Sequence, residues 1–376
     1  MRPLEGKRVL ITGGTGSLGK TLVKRLLTGE MGRPARIIVF SRDEAKQYFM
    51  RLEHQRLKAA TDELIYRDFE KVLEFRIGDV RDYGSVASVL RSADVVINAA
   101  AMKQVPACEY APFEAVRTNI QGAENIVRAI EEHTLMVETV VGISTDKACK
   151  PVNAMGMTKA LQERVFIQGN LRCPGTRFVG VRYGNVLASR GSVIPLFHEQ
   201  IRQGGPVTIT TPDMTRFLLS LNDAVDMVFA AIRSALPGEI YVPRAPSARV
   251  VDIATALIGE RAIRQAITGI RPGEKIHEIM VSDEEAVRTL DRGKWYAIQP
   301  MLPEIRLPEI TPAEAGDSRL TKEYSSGDEI MTLEETTALL AARDLLLPGD
   351  LASLATAIVQ KPSMLPQELV PQELLR

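Results

Sequence analysis

Cysteine is scarce in this chain: Cys108, Cys149 and Cys173 are its whole complement, and no two form a CxxC pair. That excludes a disulfide framework and makes a reducing cytoplasm the default compartment. The four histidines stand in no H-x-E or HExxH context, so no catalytic metal is expected. Neither sign of charge is in excess. Lys plus Arg and Asp plus Glu both total 47, so no net field recruits nucleic acid or an anionic membrane. Local basic clusters remain able to hold a phosphorylated substrate. No apolar run approaches the roughly 20 residues that span a bilayer. The opening MRPLEGKRVLITGG runs almost straight into a strand, which leaves no room for a signal peptide. A soluble protein is expected, and no repeat of solenoid period is visible.

What is present is ordinary in bulk and specific in detail. A chain of 376 residues, 45% hydrophobic and 25% charged, suits one large domain with a smaller appendage, or two modest domains. Short β-branched runs at Arg8–Thr12, Arg36–Phe40, Glu74–Ile77, Val95–Ala99, Thr139–Ile143 and Arg177–Tyr183 read as buried strands. Helix-length segments lie between them at Leu18–Leu27, Asp43–Ala60, Phe113–Glu132 and Met155–Gly169. Strict alternation predicts right-handed βαβ units and a doubly wound parallel sheet.

After Tyr183 the rhythm breaks into Gly- and Pro-bearing segments with short helices. Residues 1–184, with returns near 218–250, are expected to form the cofactor domain. Residues 185–217 and 251–330 are expected to form a smaller α/β substrate-binding lobe, with Trp295 and Tyr296 among its packing residues. Residues 331–376 read as a helical tail. Thr332 and Glu335 form a capping box ahead of its Ala/Leu-rich run, and its Pro/Gln/Glu-rich end reads as a loosely ordered arm.

Gly13-Gly14-Thr15-Gly16-Ser17-Leu18-Gly19 follows the first strand and opens a helix. The spacing of Gly13, Gly16 and Gly19 provides a tight turn, close backbone approach to a pyrophosphate, and close helix–strand packing. The phosphates then rest on the helix N-terminus. Readers of NAD place an acid at the end of the second strand, whereas this chain has Ser41 and Arg42 there, a hydroxyl and a guanidinium matched to a 2′-phosphate. NADP is therefore the expected cofactor. The alternative is that Arg42 is a solvated residue opening the next helix, with Asp43 as its cap. Asp79 and Val80, after the third strand, occupy the usual place for adenine contacts.

Ser144-Thr145-Asp146-Lys147, then Met155 and Lys159, resembles the catalytic strand and helix of a short-chain dehydrogenase with two departures. Met155 stands where the YxxxK pattern has its Tyr, and an acid–base pair follows the strand hydroxyl. A thioether cannot exchange a proton. Asp146 and Lys147, at the C-terminal end of a central parallel strand, lie where ligands bind in this architecture. The combination points to redox-assisted elimination of water.

These segments, with NAAAMK (Ala99 and Ala100 among them), TN at 118–119, STDKACKPVNAMGMTK, RYGNVLASRGSVIPLF, PDMTRF and RPGEK, closely resemble the nucleotide-sugar 4,6-dehydratases of the extended short-chain dehydrogenase/reductase superfamily. The nearest likeness is to bacterial UDP-N-acetylglucosamine 4,6-dehydratases, over residues 5 to about 300. The resemblance implies a Rossmann-type sheet, NADP held by the glycine loop, Ala99, Ala100, Asn119 and Lys159, and commonly a homo-oligomer. It implies Asp146 as acid at C6, Lys147 as base at C5, and Thr145 at the C4 oxygen. A lysine base must be pushed below its free value of about 10.4, and a nearby Lys159 and a dry pocket both act in that direction.

The C4 hydroxyl proton is left to Asp146, Lys159 or an ordered water. On the substrate side the resemblance implies Arg216 and Arg271 at the diphosphate, with Lys103 and Arg190 nearer the sugar. Asn185, Val186 and the Ser192–Phe197 run line the nucleoside pocket, and Glu274 orients Arg271 or holds a ribose. A 4-epimerase or 4-ketoreductase, and a non-catalytic NADP-binding subunit, are the competing readings. The retained Asp146, Lys147 and Lys159 speak against both.

Overall fold

The computed structural model describes residues 2–60, 69–187, 192–270, 273–305 and 318–347, with side chains of 57–60 excepted. Arg190, Arg271 and the C-terminal arm lie outside the described residues. Six parallel strands carry the fold: β1 (Arg8–Thr12), β2 (Arg36–Ser41), β3 (Leu73–Ile77), β4 (Val95–Asn98), β5 (Thr139–Thr145) and β6 (Arg177–Tyr183). They pair in the order β6-β5-β4-β1-β2-β3, the reversal beside β1 that defines a doubly wound sheet. The longer helices between them are α1 (Ser17–Leu27), α2 (Glu44–Ala60), α3 (Tyr83–Leu90), α4 (Val105–Tyr110), α5 (Gly122–Glu132) and α6 (Ala154–Arg172).

The period-2 alternation of strand side chains explains the two cores. Val9, Ile11, Val39, Ile97, Val141 and Val181 pack with Leu22 and Leu26 of α1 and with Val225 and Val228 of the helix Leu221–Ser234. Their neighbours Leu10, Ile38, Val96, Val140 and Phe178 face Val86 of α3, Ile126 of α5 and Phe166 of α6. The runs of β1, β2, β4, β5 and β6 are thus largely buried on both faces, as a parallel sheet requires. At the sheet edge, β3 departs from the expectation of a buried strand, with Arg76 and Ile77 exposed.

The chain divides into two compact units. The first holds Met1–Tyr183, Leu221–Arg244 and Ile279–Tyr324, and the second Gly184–Ser220, Ala245–Glu278 and Ser325–Arg376. Residues 279–324, read from sequence as part of the smaller lobe, therefore fall in the first unit. Trp295–Ile298 pairs antiparallel with Ile240–Pro243, which itself lies parallel to β6, and Thr289–Asp291 and Ser318–Arg319 extend the same sheet. Trp295 and Tyr296 are accordingly packing residues of the main sheet. Strands of two to four residues carry too few alternations to be read from sequence.

The helix expected over Phe113–Glu132 is interrupted by a π-helical turn at Val116–Gln121, and β5 runs two residues further than expected, to Thr145. The helix α3 was not foreseen. Asp82 caps it by accepting from the Ser85 amide at 2.8 Å.

In the second unit the helices Val193–Arg202, Val250–Ile258 and Leu333–Ala342 enclose a core of Ile194, Phe197, Ile253, Leu257, Leu339 and Leu340. The tail helix thus belongs to this unit, and its Thr332–Glu335 capping box is formed. Among the described residues no helix is long and apolar enough to cross a membrane.

Candidate active site

The glycine loop is built for backbone approach. Gly13 has φ +66°, and a Cβ there would sit 2.8 Å from Ala100 Cα; a Cβ at Gly19 would sit 2.4 Å from the Gly14 carbonyl oxygen. Gly16 stands at the N-cap of α1 with no side-chain hydrogen bond, so the N-cap residue leaves the first-turn amides of α1 uncapped. Thr12 Oγ1 donates to Asn98 Oδ1 at 2.6 Å and accepts from the Ala100 amide at 3.2 Å. That ties the end of β1 to the end of β4 and brings Gly13, Thr15, Gly16, Ala99 and Ala100 to one edge of the sheet. Amides converging at a helix N-terminus bind a pyrophosphate.

Beside this loop, Ser41 is buried and its Oγ accepts from Gln47 Nε2 at 3.0 Å. Arg42 extends outward, with Nη1 3.8 Å from Asp79. Asp43 Oδ1 accepts from the Lys46 amide at 2.9 Å, so it does cap α2. Burial opposes ionisation of Asp79, and hydrogen bonds from Arg81 overcome it, holding the carboxyl below its usual range. Val80 is buried and its carbonyl accepts from Asn125 Nδ2 at 2.8 Å.

At the end of β5 the chain folds into a 3-10 turn, Asp146–Ala148. Thr145 Oγ1 donates to Asp146 Oδ1 at 2.8 Å, and Lys147 Nζ stands 3.1 Å from the same oxygen. The Asp146 side chain is 1% exposed and that of Lys147 23%. Three groups able to move protons therefore share one atom. Lys147 thus pairs with the carboxylate that precedes it in the sequence.

Lys159 Nζ donates to the Ile143 carbonyl and, at 2.7 Å, to Gln162 Oε1. Burial pushes its ammonium down to about 8, against the opposing charge of Glu163. Met155 is buried against Cys108 and Ala115, with Met102, Val105 and Ala154 around it. Its thioether packs a core and carries no proton. Asn119, in the π-helical turn, accepts from the Met102 amide at 2.8 Å and donates to the Met102 carbonyl at 3.0 Å and to Thr158 Oγ1 at 2.9 Å. It joins the loop after β4, which carries the exposed Lys103, to α6.

Two supports went unread in the sequence. A Cβ on Gly156 would lie 2.2 Å from the Lys147 carbonyl oxygen, so glycine there lets α6 press onto the Asp146–Ala148 turn. Asn153 caps that helix, accepting from the Gly156 amide at 2.8 Å. Both signals were present as an Asn-x-x-Gly helix start.

The substrate-side residues lie in the second unit. Asn185 and Val186 run beside Leu219, and the Asn185 carbonyl accepts from the Leu219 amide at 3.3 Å. Ser192 occupies the N-cap position of the helix Val193–Arg202 without capping it, and its buried Oγ has no hydrogen-bond partner among the described residues. Arg216 is buried and donates through Nη1 to the Thr215 carbonyl at 2.7 Å and the Ile276 carbonyl at 3.1 Å. Glu274 is half-buried. The structure thus brings Thr145, Asp146, Lys147, Met155 and Lys159 together in the first unit and holds Asn185, Val186, Ser192, Arg216 and Glu274 in the second.

A protein family described as polysaccharide biosynthesis protein matches residues 9–300. A UDP-N-acetylglucosamine 4,6-dehydratase (inverting) from Campylobacter jejuni is 42% identical over 300 residues, 79% of this chain and 84% of its own. A UDP-glucose 4-epimerase from Rickettsia typhi is 41% identical over 346 residues, 90% and 96% respectively. The crystal structure of Pen from Bacillus thuringiensis superposes with TM-score 0.79 at 32% identity, covering 91% of this chain and 99% of that one. A dTDP-glucose 4,6-dehydratase from Streptomyces venezuelae, solved with NAD bound, shares the fold, with TM-score 0.59 at 22% identity over 72% of this chain and 86% of its own.

Proposed function

The chain belongs to the family of polysaccharide biosynthesis proteins, and from that premise we propose that it is an NADP-dependent UDP-N-acetylglucosamine 4,6-dehydratase. The residues at the glycine loop fit a dinucleotide, because the space that Cβ atoms at Gly13 and Gly19 would fill is taken by backbone. Bound there, NADP⁺ supplies the acceptance of hydride from C4 of the hexose and its return at C6. The 2′-phosphate is assigned to the outward guanidinium of Arg42, and the nicotinamide ribose to Lys159. The nucleotide part of the substrate is assigned to Asn185, Val186, Ser192, Arg216 and Glu274 of the second unit.

The observation that carries the reading is the convergence of Thr145 Oγ1 and Lys147 Nζ on Asp146 Oδ1. The competent form has a carboxylate on Asp146 and a free amine on Lys147. Thr145 takes up the C4 hydroxyl proton while passing its own to Asp146, which supplies the route that the missing Tyr leaves open. Lys147 then removes the C5 proton, made acidic by the C4 ketone. Asp146, now carrying the proton from C4, delivers it to the C6 hydroxyl, which leaves as water. Lys147 returns its proton to C5, and the product is the substrate less one water. Reprotonation from the face the proton left retains C5, and reprotonation from the other face inverts it.

The second reading, a 4-epimerase, rests on the names of the Rickettsia relatives. Epimerisation needs neither an acid at C6 nor a base at C5. Mass spectrometry of the product from UDP-N-acetylglucosamine separates the two. Loss of one water supports the dehydratase, and a product of unchanged mass with altered chromatographic mobility overturns it in favour of the epimerase.

A further inference from the structure

Beneath the catalytic turn lies a buried ionic cluster that the reaction does not use directly. The Arg182 side chain, on β6, is 1% exposed, and a buried guanidinium is tolerated only when fully paired. It donates through Nε to Glu163 Oε1 at 3.0 Å and through Nη2 to Glu163 Oε2 at 2.6 Å. It also donates through Nη1 to Glu285 Oε2 at 2.7 Å, through Nη2 to Glu285 Oε1 at 3.0 Å, and through Nη1 to the Met280 carbonyl at 2.8 Å. Burial works to raise the Glu285 carboxyl, and the charge and hydrogen bonds of Arg182 bring it down to about 2. It is therefore a fixed anion at any working pH.

Each carboxylate reaches a different end of the turn. Glu163 Oε1 accepts from Ser144 Oγ at 2.5 Å, and Ser144 directly precedes Thr145. Glu285 Oε2 lies 3.7 Å from Cys149 Sγ, and Cys149 directly follows Ala148; its amide closes the turn onto the Asp146 carbonyl at 3.1 Å. Residues 145–148 are thus suspended between two anchors that share one guanidinium. Glu163 also stands one helical turn after Lys159 on α6.

We propose that Arg182 is a positioning residue that pins both ends of the Thr145–Ala148 turn through Glu163 and Glu285, and so fixes where Asp146 and Lys147 act. The role in turnover rests on the dehydratase reading; the pinning itself does not. A buried ion cluster is a poor way to gain stability, since apolar residues of similar volume do as well. It is a good way to hold a short turn in one place, and a displacement of about 1 Å at a reacting group costs on the order of a hundredfold in rate.

The test is hydrogen–deuterium exchange on the full chain, read by peptide, with steady-state kinetics alongside. Arg182→Lys keeps the charge but cannot bridge two carboxylates in a fork. We expect exchange in 144–150 to rise about tenfold while β1 and β4 are unchanged. We expect kcat to fall about a hundredfold with KM within about twofold. Cys149→Ala should loosen the distal end of the turn, and Glu285→Gln both the distal end and the Arg182 contacts.

Unchanged exchange in 144–150, or a rise spread evenly over the whole first unit, overturns the proposal. If Arg182→Lys does not fold, Glu285→Gln and Cys149→Ala decide by the same two criteria. If the unaltered protein turns over no nucleotide sugar, the functional reading falls, and the exchange pattern alone still decides whether Arg182 pins the turn.

Discussion

Lys159 offers a prediction whose size follows from its surroundings. The side chain is buried, and its ammonium is brought from 10.5 down to about 8. In the unfolded chain it returns to the ordinary value. Folding at neutral pH therefore confines a charge that water would rather hold, a cost of about 3 kcal/mol for a shift of this size. The cost is fully present below about pH 8 and fades as pH rises toward the unfolded value, because there the unfolded chain binds the extra proton. Between about pH 7 and about pH 9.5 the folded state should recover about 2 kcal/mol on this account.

Lys159→Met removes the titrating group and keeps a long, slender side chain in the site. The assay is urea unfolding of the cofactor-free protein, followed through its single tryptophan, Trp295, which lies in the main sheet of the same unit. Titrations of other groups occur in both proteins and cancel in the difference. The stability difference between variant and parent should shrink or reverse in the parent's favour by about 2 kcal/mol across that interval. A difference constant to within about 0.5 kcal/mol, or one moving the other way, would refute the reasoning.

Three further outcomes are expected. Asp146→Asn and Lys147→Ala should each lower kcat by about a thousandfold, the scale of a lost acid or base, while NADP titration by fluorescence shows unchanged affinity. Arg42→Ala should weaken NADP binding by about ten- to a hundredfold and leave NAD binding as it was, as calorimetry with each dinucleotide would show. Gly19→Ala would force a Cβ to 2.4 Å from the Gly14 carbonyl oxygen. It should cost about 1–3 kcal/mol in denaturation and abolish dinucleotide binding.

Much of the first unit was legible because its signals are local. The β-branched strands, the Gly13–Gly19 turn and the Ser144–Lys147 segment each announce themselves within a dozen residues, and the structure puts them at one end of the parallel sheet. The break in the helix ahead of α5 was not legible. Val116–Gln121 widens to a π turn where Asn119 bonds to Met102 and Thr158, and helical periodicity does not encode that.

The antiparallel strands at Thr289–Asp291 and Trp295–Ile298 are too short to alternate visibly, so residues 279–324 were placed in the wrong unit. Lys147 and Asp146 are neighbours in sequence, and the structure keeps them as a pair. Arg182 is the largest omission. Its partners are 19 and 103 residues distant, and no local pattern ties them together.

The central claim is elimination of water driven by a temporary oxidation at C4 that is undone at C6. UDP-N-acetylglucosamine carrying deuterium at C4, incubated with the protein and NADP⁺ and followed by NMR, tests it most directly. The account predicts a 4-keto-6-deoxy product with the deuterium in its C6 methyl group. Deuterium still at C4 of a hydroxylated sugar, with the configuration there changed or not, would contradict it.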